Sequence, residues 1–218
     1  MATTVSMTNI VANGGKGWFP ATRGNCAWQL SSITPGDGAA SSIKIIPSGA
    51  GEVTLTSAAH DLVASHKYYV TFKIRFEAAV TGTCDWYWPV AEPAAAAGMA
   101  VNAAAGAWTR LSAVFDRVSF ADGSYPCRFD YNNNDGGNKT FWFTSCMLID
   151  LTEAFGDGKE PSKEWLDKHI TAFSDTPTVQ YVDNLGELFK GVADAIRAKS
   201  GQTGEIMACD FADRIRAL

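Results

Sequence analysis

The chain has 218 residues, enough for one large domain or for one domain with a small addition. Hydrophobic residues make up 46% of it, as in a folded globular protein, but charged residues make up only 19%, below the typical share of about 25%. The net charge of −5 excludes the strongly basic surface of a nucleic-acid-binding protein or of a protein attracted to an anionic membrane. An aromatic content of 11% with so few charges favours a sheet-rich protein.

The sequence contains none of the usual signals for export, membrane insertion or metal binding. Its N-terminus lacks a basic region followed by an apolar run, so no secretory signal is expected. No stretch reaches the ~20 consecutive apolar residues of a membrane-spanning helix. The five cysteines form no CxxC pair, and the three histidines are scattered along the chain. We therefore expect free thiols that are mostly buried, and neither a metal nor another cofactor.

Residues 1–155 are predicted to form strands. These are expected, in chain order, at residues 26–30, 42–46, 53–56, 67–76, 86–90, 108–115, 126–131 and 139–151. The clearest is 67–76, in which polar and apolar residues alternate as in a strand with one buried and one solvated face. The alanine-rich stretch 93–108 is interpreted as a surface loop, and residues 132–138 as a hairpin turn. The pattern predicts a mainly β chain with an antiparallel jelly-roll β-sandwich.

After residue 155 the pattern becomes partly helical. Residues 156–183 are predicted to hold a short helix at 161–170 and an extended linker at 175–183. Residues 184–218 are predicted to form a small helical hairpin, with apolar residues at spacings of three and four, a stop at Gly201 and a second helix from Asp210. We interpret this hairpin as a docking or oligomerisation element. Its assembly face would comprise Leu185, Leu188, Phe189, Val192, Ile196, Phe211, Ile215 and Leu218.

Three parts of the chain resemble known protein families. Residues 147–170, MLIDLTEAFGDGKEPSKEWLDKHI, resemble the MLIDLT-x-x-FG-x-G-x-EP-S/T-x-EW segment that closes a jelly-roll module in many structural and tail proteins of tailed bacteriophages. Residues 188–218 are similar to the ADAIR-x-K-S/T-G helix-loop-helix of phage tail and baseplate components. Residues 13–18, 62–72 and 106–115 resemble the carbohydrate-binding jelly rolls appended to glycoside hydrolases.

The resemblance implies a structural protein of the virion that is assembled in the cytoplasm of the host bacterium. It would be a tail, baseplate or fibre component with other virion proteins as partners, a homo-oligomer with a trimer favoured, and a jelly roll that binds a host-surface glycan. A capsid decoration or head-fibre protein with the same module is the alternative. A polysaccharide-degrading enzyme is less expected, because the sequence contains no catalytic motif and no evident pair of converging carboxylates.

The candidate ligand-binding residues are Trp86, Tyr87 and Trp88. Sugars commonly stack on flat aromatic rings, and alternation along a strand places Trp86 and Trp88 on one face and Tyr87 on the other. The two tryptophans form a sugar-stacking pair if their face is solvated, and core residues if it is not. Trp108 is expected in the core, because it lies among alternating apolar partners, and Trp142 is expected to be buried, because it lies in a run that is apolar on both faces.

Overall fold

The computed structural model describes residues 3–12, 22–49, 51–89, 96–116, 120–132, 139–181 and 185–201. The chain divides into two compact units. The larger is Ser6–Thr178, and the smaller combines Met1–Val5 with Val179–Leu218. Most of residues 156–183, which were predicted to hold a short helix and a linker, therefore belong to the larger unit together with the sandwich.

Twelve strands and three helices are described. The strands are β1 Thr3–Ser6, β2 Thr22–Gly24, β3 Cys26–Ser31, β4 Ser42–Pro47, β5 Val53–Leu62, β6 Lys67–Phe76, β7 Val80–Tyr87, β8 Ala96–Ala103, β9 Trp108–Asp116, β10 Gly123–Asn132, β11 Phe141–Asp150 and β12 Thr178–Tyr181. The helices are α1 Leu151–Phe155, α2 Lys163–His169 and α3 Leu185–Ser200.

Two five-stranded antiparallel sheets form a jelly-roll β-sandwich, which confirms the predicted fold class. Sheet I has the strand order β3-β4-β11-β6-β9, and sheet II has the order β2-β5-β10-β7-β8. A separate two-stranded sheet joins β1 to β12, so part of the predicted linker is a strand. None of the helices described is long and apolar enough to cross a membrane.

The core lies between the two sheets and is rich in aromatic rings. The even-numbered residues of β6, from Tyr68 to Phe76, are all fully buried, which confirms the predicted alternation. The opposite face of β6 is less solvated than expected, because Tyr69 donates a hydrogen bond of 2.7 Å to Asp167 of α2. Four cysteines are free and buried in the described part of the chain, as predicted, and Cys209 lies outside it.

Two predictions for the sandwich are wrong. Residues 96–103, interpreted as part of a loop, form strand β8, whose backbone pairs with β7 from Val80–Ala103 to Trp86–Ala96. The strands on either side of residues 132–138 are not a hairpin, because β10 belongs to sheet II and β11 to sheet I. The connection between them crosses from one layer of the sandwich to the other, and residues 133–138 themselves lie outside the described part.

The C-terminal helices agree with the sequence where they are described. Helix α2 begins at Lys163, after Ser162 whose hydroxyl accepts a hydrogen bond from the Trp165 backbone. Helix α3 ends before Gly201, whose φ of +70° favours glycine. On α3, Ala193 and Ile196 are buried and Val192 packs against them.

The rest of the predicted assembly face is not described. The side chains of Leu185, Leu188 and Phe189 and the whole of the second helix, with Phe211, Ile215 and Leu218, lie outside the described residues.

Candidate functional site

Trp86 and Trp88 point into the core, which corrects their interpretation as an exposed sugar-stacking pair. Both have 0% exposed surface. The Trp86 ring stacks on Phe72 with centroids 6.2 Å apart, and the Trp88 ring meets Tyr68 edge-on at 4.9 Å. The indole N–H of Trp88 donates to the backbone carbonyl of Tyr125 at 2.9 Å. These aromatic contacts bury large apolar surfaces, so the alternative of core residues holds.

Tyr87 lies on the opposite, outer face of sheet II and is partly exposed. Arg128 lies directly opposite Tyr87 in the antiparallel pairing of β10 with β7. Its guanidinium carbon lies 4.4 Å from the centre of the Tyr87 ring. The same guanidinium contacts Asp130, with 2.7 Å between Nη2 and Oδ2. Sequence reasoning missed Arg128 and Asp130, although both are charged and alternate with the apolar Phe129 in a predicted strand.

We call this group the Tyr87 site and define it as Tyr87, Arg128, Asp130, Asp85 and Thr56. Strand pairing places Thr56, Arg128 and Tyr87 in one row, and Asp130 and Asp85 in the next. Asp85 is held by a hydrogen bond from the backbone N–H of Gly98. The strand register therefore brings together residues that are far apart in the sequence.

Asp130 is unusual for a carboxylate on an outer sheet face. Its side chain is fully buried, and its Oδ1 has no hydrogen-bond partner. The pKa of Asp130 is raised to about 6, mainly by burial, with smaller contributions from Glu52 and Asp85, while Arg128 opposes the shift. The pKa of Tyr87 is also raised, mainly by burial and then by Asp85 and Asp130. The site thus combines an aromatic ring, a guanidinium donor and a carboxyl acceptor.

The outer face of sheet I is partly covered by helix α2, which packs on strand β9. Asp167 of α2 accepts hydrogen bonds of 2.7 Å from Tyr69, Ser112 and Lys163. Although burial opposes its ionisation, these bonds lower the pKa of Asp167. A cleft of about 420 Å³ adjoins this cluster. The polar groups of the cluster already bond to one another, and we interpret them as the contact that docks α2.

Within the residues described, no cluster of three or more His, Cys, Asp or Glu side chains could hold a metal ion.

Trp108, expected in the core, is instead partly exposed on the outer face of sheet I. Trp142 is buried, as predicted, at 9% exposure, although it lies on the outer face of sheet I beside Arg75.

Comparisons with known proteins give structural neighbours only. No family model matches the chain, and no curated protein matches it. A carbohydrate-binding module of lichenase 5A from Cellvibrio mixtus, solved with cellotriose, is 12% identical at a TM-score of 0.44, over 69% of this chain and 98% of that chain.

Two larger proteins are also among the neighbours. The N-terminal part of xylanase 10B from Clostridium thermocellum, complexed with xylohexaose, is 12% identical at a TM-score of 0.46, over 69% of this chain and 29% of that chain. The enzymatically active domain of tailspike protein 4 from bacteriophage CBA120 is 12% identical at a TM-score of 0.44, over 65% of this chain and 21% of that chain.

Proposed function

We propose that this chain is a non-catalytic structural protein of a tailed-phage particle, and that its sandwich binds a host-surface glycan through the Tyr87 site. The observation that carries the binding proposal is the pairing of the Tyr87 ring with the Arg128 guanidinium on a partly exposed sheet face. Aromatic rings pack against the C–H faces of sugars, and guanidinium groups donate hydrogen bonds to hydroxyl oxygens.

Asp130 supports this role by orienting Arg128. Its Oδ2 contacts the guanidinium from two residues along the same strand, on the same face of the sheet, which limits the orientations that Arg128 can adopt. A side chain that is already held in place loses less conformational entropy when it binds a ligand. Helices α1 and α2 pack on β6 and β9 of sheet I, so neither of them competes for the outer face of sheet II.

The placement on a phage particle rests on the resemblance of residues 147–170 and 188–218 to phage structural proteins. In this proposal the chain is a tail, baseplate or fibre component and assembles as a homo-oligomer through residues 184–218. Immunogold labelling of intact particles would test it. Label at the tail supports the proposal, label at the capsid supports a decoration or head-fibre protein, and unlabelled particles contradict both.

A glycan array tests the binding proposal. We expect the wild-type chain to bind a defined set of glycans, and Tyr87→Ala and Arg128→Gln each to bind them at least about tenfold more weakly, since a hydrogen bond to a charged group contributes about 1.5–3 kcal/mol. Lys168→Gln, which removes a positive charge at an exposed position of α2, is the control. Absence of binding by the wild-type chain, or unchanged binding by both variants, contradicts the proposal.

A further inference from the structure

A single row of side chains crosses all five strands of sheet I on its outer face. Strand pairing places Gln29 beside Lys44, Lys44 beside Trp142, Trp142 beside Arg75, and Arg75 beside Trp108. Directly opposite residues of neighbouring strands project to the same face and lie next to each other. We call these five residues the basic–aromatic row.

Two cations of the row contact one aromatic ring. Lys44 Nζ lies 5.5 Å and Arg75 Cζ 4.8 Å from the centre of the Trp142 ring. Arg75 Nε also donates a hydrogen bond of 2.7 Å to the carbonyl of Gly106, which fixes the guanidinium. Lys44, Arg75 and Trp108 are all partly exposed. The row is therefore an ordered surface that a ligand can reach.

The cations of the row differ from other cations on this face of sheet I, which form ion pairs with carboxylates. Lys67 pairs with Glu160 at 3.6 Å, Lys73 with Asp37 at 2.8 Å and Arg110 with Asp167 at 3.9 Å. Lys44 and Arg75, by contrast, have no carboxylate within ion-pair distance in the part of the chain that is described. Two uncompensated cations on one row are notable in a chain with a net charge of −5.

We propose that the basic–aromatic row is a second glycan-binding surface, and that its ligand is a polysaccharide that carries carboxylate groups. Lys44 Nζ and Arg75 Cζ lie 5.5 Å and 4.8 Å from the centre of the same ring, so the two charged groups are at most about 10 Å apart. Carboxylates on neighbouring or alternate residues of an extended uronate chain can reach two cations within this distance. Trp108, at the end of the row, offers a partly exposed ring for a neighbouring sugar.

Trp142 orders the two cations and is not itself the contact for the ligand. Its ring is 9% exposed, and its indole Nε1 is shielded from solvent. Lys44 and Arg75 both contact this ring, which holds their charged groups in place on the sheet face. A ligand would therefore meet the two cations and the Trp108 ring.

The charge pattern favours an acidic glycan over a nucleic acid. Proteins that bind the phosphate backbone without sequence preference present extended basic surfaces and usually have a strong positive charge. Here two isolated cations lie on a row that also includes the uncharged Gln29, in an acidic chain. Spaced carboxylates on a sugar chain match this pattern better than a phosphate on every residue.

Isothermal titration calorimetry with defined oligosaccharides tests the proposal. The probes are hexamers of galacturonate, mannuronate and N-acetylneuraminate, together with the methyl ester of the first and a single-stranded DNA hexamer. We expect the wild-type chain to bind at least one acidic sugar, and Lys44→Gln/Arg75→Gln to bind it at least about tenfold more weakly. The matched control Lys168→Gln/Lys199→Gln removes two exposed positive charges from helices α2 and α3 and should bind like the wild type.

The outcomes separate this row from the Tyr87 site. Binding that is lost in Lys44→Gln/Arg75→Gln and kept in Tyr87→Ala supports the row. Binding that is lost only in Tyr87→Ala overturns the row and supports the Tyr87 site. Absence of binding to all three acidic sugars, equal loss in the control, or equally strong binding of the methyl ester or the DNA also overturns the proposal. Circular dichroism of each variant verifies that the sandwich is folded.

Discussion

Trp86 and Trp108 lie on strands of different sheets, and only Trp86 is fully enclosed by other core side chains. We expect Trp86→Ala to lower the free energy of unfolding by about 3–5 kcal/mol, because it leaves a cavity beside Phe72. Trp108→Ala should cost less than about 1 kcal/mol, as for other partly exposed positions. Urea unfolding followed by circular dichroism measures both. Equal losses would place the two indoles in similar surroundings, against the structure.

Asp130 gives the sandwich a pH dependence that one substitution can isolate. Its pKa in the folded chain is raised to about 6, mainly by burial, with Glu52 and Asp85 adding to the shift and Arg128 opposing it. Folding therefore favours the protonated carboxyl. The stability that this group contributes is fully present below the pKa of the unfolded chain, and it is lost as the pH rises through about 6.

Asp130→Asn cannot ionise, so it should become progressively more stable than the wild type as the pH rises. We expect the difference in unfolding free energy to grow by on the order of 2 kcal/mol between pH 4 and pH 7. Urea unfolding of both proteins across this range measures it. Asp61→Asn, an exposed carboxyl on the neighbouring strand β5, controls for the loss of one negative charge. A difference that stays constant or shrinks would show that the Asp130 carboxyl is not destabilised by folding.

At the scale of elements, α2 is too short to be stable as an isolated helix and depends on its contacts with sheet I. Leu166 is fully buried, and Asp167 bonds to Tyr69 and Ser112. We expect Asp167→Ala to weaken this docking by about 1–3 kcal/mol, because the hydroxyl of the buried Tyr69 loses its acceptor. Hydrogen exchange at the α2 amides should become roughly 5- to 150-fold faster.

Lys168→Ala is the control for α2, since Lys168 is exposed on the same helix. Its amide exchange should match that of the wild type. If both variants exchange at the wild-type rate, the Asp167 hydrogen bonds do not hold the helix on the sheet.

The elements also differ in how far the sequence could predict them. Strand β6 was predicted with its bounds, because ten residues alternate without a break and many are β-branched or aromatic. Strand β8 was missed because AAGMAVNA is composed mostly of residues with low strand propensity. Its backbone is held by pairing with β7, a contact between distant residues that local propensity does not register.

The candidate site was predictable only in part, for a related reason. Alternation correctly separated Tyr87 from Trp86 and Trp88, but it could not say which face of β7 meets the other sheet. Arg128 reaches Tyr87 only through the pairing of β10 with β7. Likewise, the basic–aromatic row takes its members from five strands. Such sites depend on strand order, which the local sequence pattern does not determine.

At the scale of the whole molecule, the sandwich and the C-terminal helix can be tested separately. The unit Ser6–Thr178 contains both five-stranded sheets, and residues 185–201, the described part of the C-terminal segment, contribute no strand to either. Removal of residues 184–218 should therefore leave the β-sheet circular dichroism and the main urea transition largely unchanged. It should also remove the apolar stripe proposed for assembly. Ile196 of that stripe is already buried beside Ala193 within the single chain, so the contact with a partner would be made by the other residues of the stripe.

We therefore expect the full chain to sediment and scatter light as an oligomer, and the chain without residues 184–218 as a monomer. The physical reason is that an amphipathic helix gains most of its stability by burying its apolar face against a partner. Light scattering after size-exclusion chromatography, at several protein concentrations, gives both masses. Lys199→Ala, an exposed position near the end of α3, should keep the mass of the full chain. A shortened chain with an unchanged number of subunits would place the assembly contacts in the sandwich, and a monomeric full chain would remove the reason to assign them to α3.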